Sequence, residues 1–175
     1  MLSLVSIIGL MMLATVACRL TGGEAPPPRI NEPMFSRLPW WERILYAFLL
    51  LCAAVLALTG FGTFVLTGGK AMTGLVLMLH ATVAPPFVIL VTITAVLWAE
   101  RSRLVQFTPG GFSAGIRMLF WLMILLSLIV ILSAVFPMTP LFGTHGQELL
   151  YRTHQYSSLL LTLVMILQGY GLWTR

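Results

Sequence analysis

The chain has 175 residues, 59% of them hydrophobic and 9% charged, with a formal net charge of +5. Soluble domains carry about a quarter charged residues, so this composition excludes an ordinary soluble domain and describes an integral membrane protein. The basic excess does not point to nucleic acid, because no basic surface domain with interleaved aromatics accompanies it.

In chain order, the first apolar run covers residues 2–17. It has the length of a signal peptide, but the usual basic n-region is missing and Arg19 follows the run. The expectation is a retained, slightly short anchor helix within residues 1–18. A processed signal or a lipid-modified Cys18 is the alternative, since Thr15-Val16-Ala17-Cys18 faintly resembles a lipoprotein cleavage site. Residues 19–42 read as a Pro/Gly-rich cytoplasmic linker, because Gly22-Gly23 and Pro26-Pro27-Pro28 sustain neither helix nor sheet. Pro39-Trp40-Trp41 then marks a membrane interface, where indole rings prefer to sit.

Four further apolar runs follow at about 44–66, 71–98, 118–136 and 149–173. Each approaches or exceeds the roughly 20 residues that a spanning helix needs. Residues 43–175 are expected to form one four-helix transmembrane bundle without internal repeats. The predicted fold is therefore all-α and membrane-integral, with five crossings when the anchor is included. No alternating pattern supports a β-barrel. Arg19, Arg29, Arg37 and Arg43 precede the bundle, Arg101, Arg103 and Arg117 lie between its second and third helices, and Arg175 ends the chain. Only Lys70 and Arg152 fall on the opposite side. Positive residues stay cytoplasmic, which predicts an outside N-terminus and a cytoplasmic C-terminus in a bacterial-type inner membrane.

His80 and His154 stand out because their apolar segments contain almost nothing else ionisable. Intramembrane ionisable residues are candidates for functional sites, and neutral imidazole is the commonest metal ligand. His80 lies roughly 15 Å into its helix from the outer side, at 1.5 Å per residue. His154 is several residues into its own helix from the same side. Both helices run outside to inside, so the two imidazoles can face each other across a haem b in the outer half of the bilayer. Bundles commonly hold cofactors between facing helices. Two imidazoles saturate the iron, leaving one-electron transfer and no open position for oxygen chemistry. The plain alternative is that each histidine makes an ordinary helix–helix hydrogen bond. Gly74 is expected to give a macrocycle room, and Pro85-Pro86 to kink the second bundle helix.

Cys18 and Cys52 are far apart and no C-x-x-C-H is present, so covalent haem attachment and a disulfide framework are both unsupported. Met78 and Met165, in the two histidine-bearing helices, read as apolar filling.

Arg43-Ile44-Leu45-Tyr46, followed by Leu58-Thr59-Gly60-Phe61, resembles the opening of the di-haem cytochrome b subunits of membrane-bound formate dehydrogenases and nickel–iron hydrogenases. There an Arg is followed three residues later by a haem-ligand His, with Thr-Gly farther along the helix. Leu79-His80 resembles that family's second-helix ligand, and His154 the first of two fourth-helix ligands. The likeness covers residues 43–175 and implies an outer haem held by His80 and His154. Two departures are coupled. Tyr46 stands at the family's first-helix histidine, and Gln168 stands fourteen residues after His154, where the second ligand is expected. That spacing is about 21 Å of rise and returns close to the same helix face. The resemblance thus implies that the inner haem is lost, with Tyr46 and Gln168 either bonding each other or contacting a quinone in the vacated volume.

The remaining polar candidates lie on the outer side. Arg152 and Lys70 are cations suited to haem propionates or to lipid headgroups. His145, placed by the sequence in the loop 137–146, is a candidate contact to a propionate or a partner. The function expected is electron transfer between an outer-side redox subunit, a multihaem cytochrome or iron–sulfur protein, and quinone or a neighbouring subunit. The alternative is a haem-free anchor or assembly subunit of a respiratory or photosynthetic complex. A transporter fits less well, lacking paired repeats of interrupted helices.

Overall fold

A computed structural model describes Phe35 and residues 38–68, 72–99, 102, 113–139 and 142–174. Four helices account for nearly all of it: α1 (Trp40–Leu66), α2 (Gly74–Trp98), α3 (Ala114–Val135) and α4 (Thr144–Thr174). A 3-10 turn, Phe136–Met138, extends α3. All four helices are long and apolar enough to cross a membrane. No strand occurs among the described residues. The protein is thus an all-α, multi-pass membrane protein. The expected anchor at 1–18, the linker before Phe35, and Lys70 lie outside the described residues.

Three of the four helices begin earlier than their apolar runs, whereas α2 begins at Gly74 rather than 71. α1 opens at Trp40 rather than 44, α3 at Ala114 rather than 118, and α4 at Thr144 rather than 149. Hydropathy marks where the hydrocarbon begins, but backbone hydrogen bonding continues into the polar interface. At the start of α1, Arg43 N–H donates to the Pro39 carbonyl at 3.2 Å, and the Arg43 Nε–H donates to the Leu38 carbonyl at 2.8 Å. α1 ends where Gly68 adopts a φ of 64°, a left-handed conformation that glycine enters without a Cβ clash. Gly74, with φ 62°, opens α2 in the same way. α2 then runs unbroken through Pro85 and Pro86. Those rings remove two backbone donors from its middle.

Two hairpins organise the bundle. α1 packs chiefly on α2 and α3 chiefly on α4, while the α1–α4 and α2–α3 seams are thinner. Along the bundle the packing is uneven. Buried hydrophobic side chains gather in the half that holds the start of α1 and the end of α2, around Tyr46, Leu49, Trp98, Phe120, Met123 and Leu172. This core reaches the middle of the bundle at Phe87, Leu126 and Leu161. Beyond it, towards the α1–α2 and α3–α4 turns, the only buried described side chains are Ser133 and Ser157. We refer to these two regions as the packed half and the open half. Lipid tails are as apolar as Leu, so helix association here depends on close van der Waals contact, which the packed half supplies.

Candidate functional site

Both histidines fall in the open half, one in each hairpin. On the 1.5 Å rise per residue, Thr59, His80, Ser133 and His154 all lie roughly 27–30 Å from the packed end of their helices.

Each ring is held through Nδ1 by the partner helix of its own hairpin. His80 Nδ1 lies 2.8 Å from Thr59 Oγ1, and its Cε1 would meet a Cβ built on Gly60 at 3.7 Å. His154 Nδ1 lies 3.1 Å from the Val130 carbonyl and 3.3 Å from Ser133 Oγ. The donor is fixed by the acceptors. A carbonyl oxygen only accepts, so His154 carries its proton on Nδ1 and donates it to Val130. Ser133 Oγ–H in turn donates to the same carbonyl at 3.0 Å, leaving its oxygen lone pairs for the ring. Thr59 spends its one hydroxyl proton on the carbonyl of Val55 at 2.7 Å or Leu56 at 3.1 Å. So bonded, its oxygen accepts when His80 carries its proton on Nδ1.

Two consequences follow for the chemistry. His154 is the Nδ1–H tautomer, Thr59 is placed to hold His80 in the same form, and neither Nε2 atom has a hydrogen-bond partner among the described residues. Ligating histidines are characteristically arranged this way, with the second nitrogen tied to a carbonyl or another oxygen that fixes the tautomer. The described residues contain no group of three or more His, Cys, Asp or Glu side chains able to cage a metal ion. Two neutral imidazoles suit a metal whose remaining positions are filled by a macrocycle. The donor set fits a haem.

The other candidates are dispersed. Arg152 pairs with Glu148 one turn earlier at 2.7 Å, on a mostly exposed face of α4. His145 is not in a loop, because α4 already includes it. It is exposed, and nine residues of helix place it on the face opposite His154, about 13 Å along the axis. A Cβ on Gly74 would meet open space, so this glycine serves the backbone turn rather than a close approach. Lys70 lies outside the described residues.

Tyr46 and Gln168 belong to the packed half. They are 1% and 0% exposed, and the Tyr46 ring stacks on Trp98 with centroids 5.0 Å apart. Neither the Tyr46 hydroxyl nor either polar atom of the Gln168 amide has a hydrogen-bond partner among the described residues. The expectation that they bond each other is thus not met. The expected vacated volume is likewise corrected: aromatic and aliphatic side chains fill this half, and both residues are closed over. Packing of Trp98, Phe120 and Met123, each fully buried, is the reason.

Thr59, Val130 and Ser133 were not among the sequence candidates. One signal was present, since each histidine follows its hydroxyl partner by 21 residues. The two hairpins thus repeat one local arrangement that the residue pattern alone leaves unremarked. No family model, curated protein or solved structure matches this chain.

Proposed function

We propose that the bundle is a membrane electron carrier in which His80 and His154 are the axial ligands of a single haem b. The observation that carries this reading is that both rings are hydrogen-bonded through Nδ1 in the open half, which leaves both Nε2 atoms without a partner among the described residues. When bound, the haem supplies reversible one-electron transfer. The chain's own residues do the rest. His80 and His154 would hold the haem through their imidazoles. Thr59 and the Val130 carbonyl hold the rings, and the packed half fastens the two hairpins together below the cleft. With Tyr46 and Gln168 enclosed, no second haem would be held beside them, and the redox partner would be a quinone or a neighbouring subunit. The basic-residue pattern places the open half outside, facing an outer-side redox partner. The described chain offers no hydrophilic domain for substrate chemistry, which suits one subunit of a larger complex.

The test is a dithionite-reduced minus oxidised spectrum with pyridine-haemochrome quantitation, on the chain purified with its partners. About one b-type haem per chain, lost in His80→Ala and His154→Ala, is the expected result for bis-imidazole ligation. A well-folded complex without haem would overturn the reading and favour the anchoring role. Two haems per chain would show that Tyr46 or Gln168 stands in a second site.

A further inference from the structure

The two histidines are not held equally. His154 donates to a main-chain carbonyl, with the Ser133 hydroxyl 0.2 Å farther away as a second acceptor (3.3 against 3.1 Å). His80 has one acceptor, the Thr59 hydroxyl at 2.8 Å. A neutral imidazole has a single N–H, and with that proton on Nε2 it cannot ligate a metal through Nε2. Free histidine favours the Nε2–H form, so each ring needs an acceptor at Nδ1 to be kept in the ligating form. Val130 provides this from the backbone, where no side-chain substitution removes it. At His80 the whole task falls to one side-chain oxygen.

We propose that Thr59 is the positioning residue that makes His80 a ligand, and that Ser133 is dispensable for the equivalent role at His154. The proposal rests on the haem reading only for what the lone pair binds. The tautomer itself is a property of the chain. Thr59 is suited to the task because its back-bond to the preceding helical turn, 2.7 Å to Val55, uses its only proton and orients its lone pairs outward. Gly60 contributes differently. A Cβ there meets the His80 ring at 3.7 Å, an ordinary van der Waals distance, so the ring does not depend on the missing side chain.

The experiment measures imidazole ¹⁵N shifts in the full chain, haem-free and ¹⁵N-histidine-labelled, in lipid nanodiscs. It is run at about pH 8.5, above the ordinary imidazole pKa. Both His80 and His154 are expected as Nδ1–H tautomers. Thr59→Val keeps the branched shape but removes the acceptor, and is expected to move His80 to the Nε2–H form while leaving His154 unchanged. Thr59→Ser restores the wild-type signal, and neither Ser133→Ala nor Gly60→Ala moves either ring. In haem titrations of the same variants, Thr59→Val binds about 10- to 100-fold more weakly, the usual effect of losing a ligand's outer partner. Ser133→Ala stays within about twofold, because the carbonyl partner remains.

An Nε2–H His80 in the wild type, or a Thr59→Val spectrum identical to wild type, overturns the proposal. So does loss of the His154 tautomer in Ser133→Ala. Should Thr59→Val not fold, Thr59→Ala carries the same expectation. If the tautomers follow the pattern but the wild type takes up no haem, the electron-carrier reading fails and the role of Thr59 stands. If haem binds and Thr59→Val changes neither tautomer nor affinity, only the positioning role fails.

Discussion

The open and packed halves of the bundle handle polar atoms in opposite ways. In the open half nearly every hydroxyl is satisfied close by: Thr63 donates to the Thr59 carbonyl at 2.6 Å, Ser157 to Thr153 at 2.6 Å, and Thr162 to Ser158 at 2.8 Å. The imidazole Nε2 atoms of His80 and His154 have no partner there among the described residues. In the packed half the enclosed hydroxyls of Tyr46, Thr94, Ser102, Ser113 and Ser127 and both ends of the Gln168 amide have no hydrogen-bond partner among the described residues. An unpaired atom with space in front of it can bind something, whereas an unpaired atom without space only destabilises. The contrast teaches that stability and chemistry are separated along the helix axis, with close packing at one end and available lone pairs at the other.

Trp98→Ala tests the packed half most severely. The indole is fully buried, stacks on Tyr46 and donates to Glu42 Oε2 at 3.0 Å. Truncation should lower unfolding stability in detergent by about 3–5 kcal/mol, as for other buried aromatics. A loss below about 1 kcal/mol would mean that this half is not the stabilising core. Gln168→Met should act in the reverse direction. Replacing an enclosed, unpartnered amide with an apolar chain of similar length is expected to stabilise by about 1–3 kcal/mol in the same assay. Clear destabilisation would instead reveal a partner for Gln168 outside this chain.

His154→Ala in the haem-free chain sharpens the comparison from the other side. Its half-buried ring adds little packing, so the stability change should be about 1 kcal/mol, the net value of one hydrogen bond, while haem binding is lost entirely. A change as large as that of Trp98→Ala would make His154 a structural residue. The smallest effect is expected from Arg152→Ala. Its ion pair with Glu148 is exposed and spans one helical turn, and such pairs contribute about 0.3–0.5 kcal/mol, screened further by salt. A marked fall in haem affinity in this variant would show that the guanidinium reaches the cleft despite that pairing.

Much of the frame was legible in the residues because hydropathy is additive along the chain. The four spans, the all-α class and the depth of His80 and His154 needed nothing beyond apolar run lengths and a rise of 1.5 Å per residue. Three of the four helix starts were set too late by the same measure, since hydrogen bonding extends past the hydrocarbon. The error mattered at His145, which moved from a loop to the first turn of α4. Tyr46 and Gln168 were correctly placed at one end of the bundle, but their lack of mutual bonding was not readable. Spacing gives the face of a helix, not its rotation against a neighbour.

The sequence by itself determined a multi-pass helical membrane protein with two intramembrane imidazoles at one level, because composition and helical rise depend on each segment alone. The tertiary structure decided which atoms of those imidazoles are free and which half of the bundle is filled. Those outcomes depend on the register between α1 and α2 and between α3 and α4, which brings Thr59 to His80 and Val130 to His154. That register is set by side-chain packing between helices, a relation between distant residues that no single segment encodes.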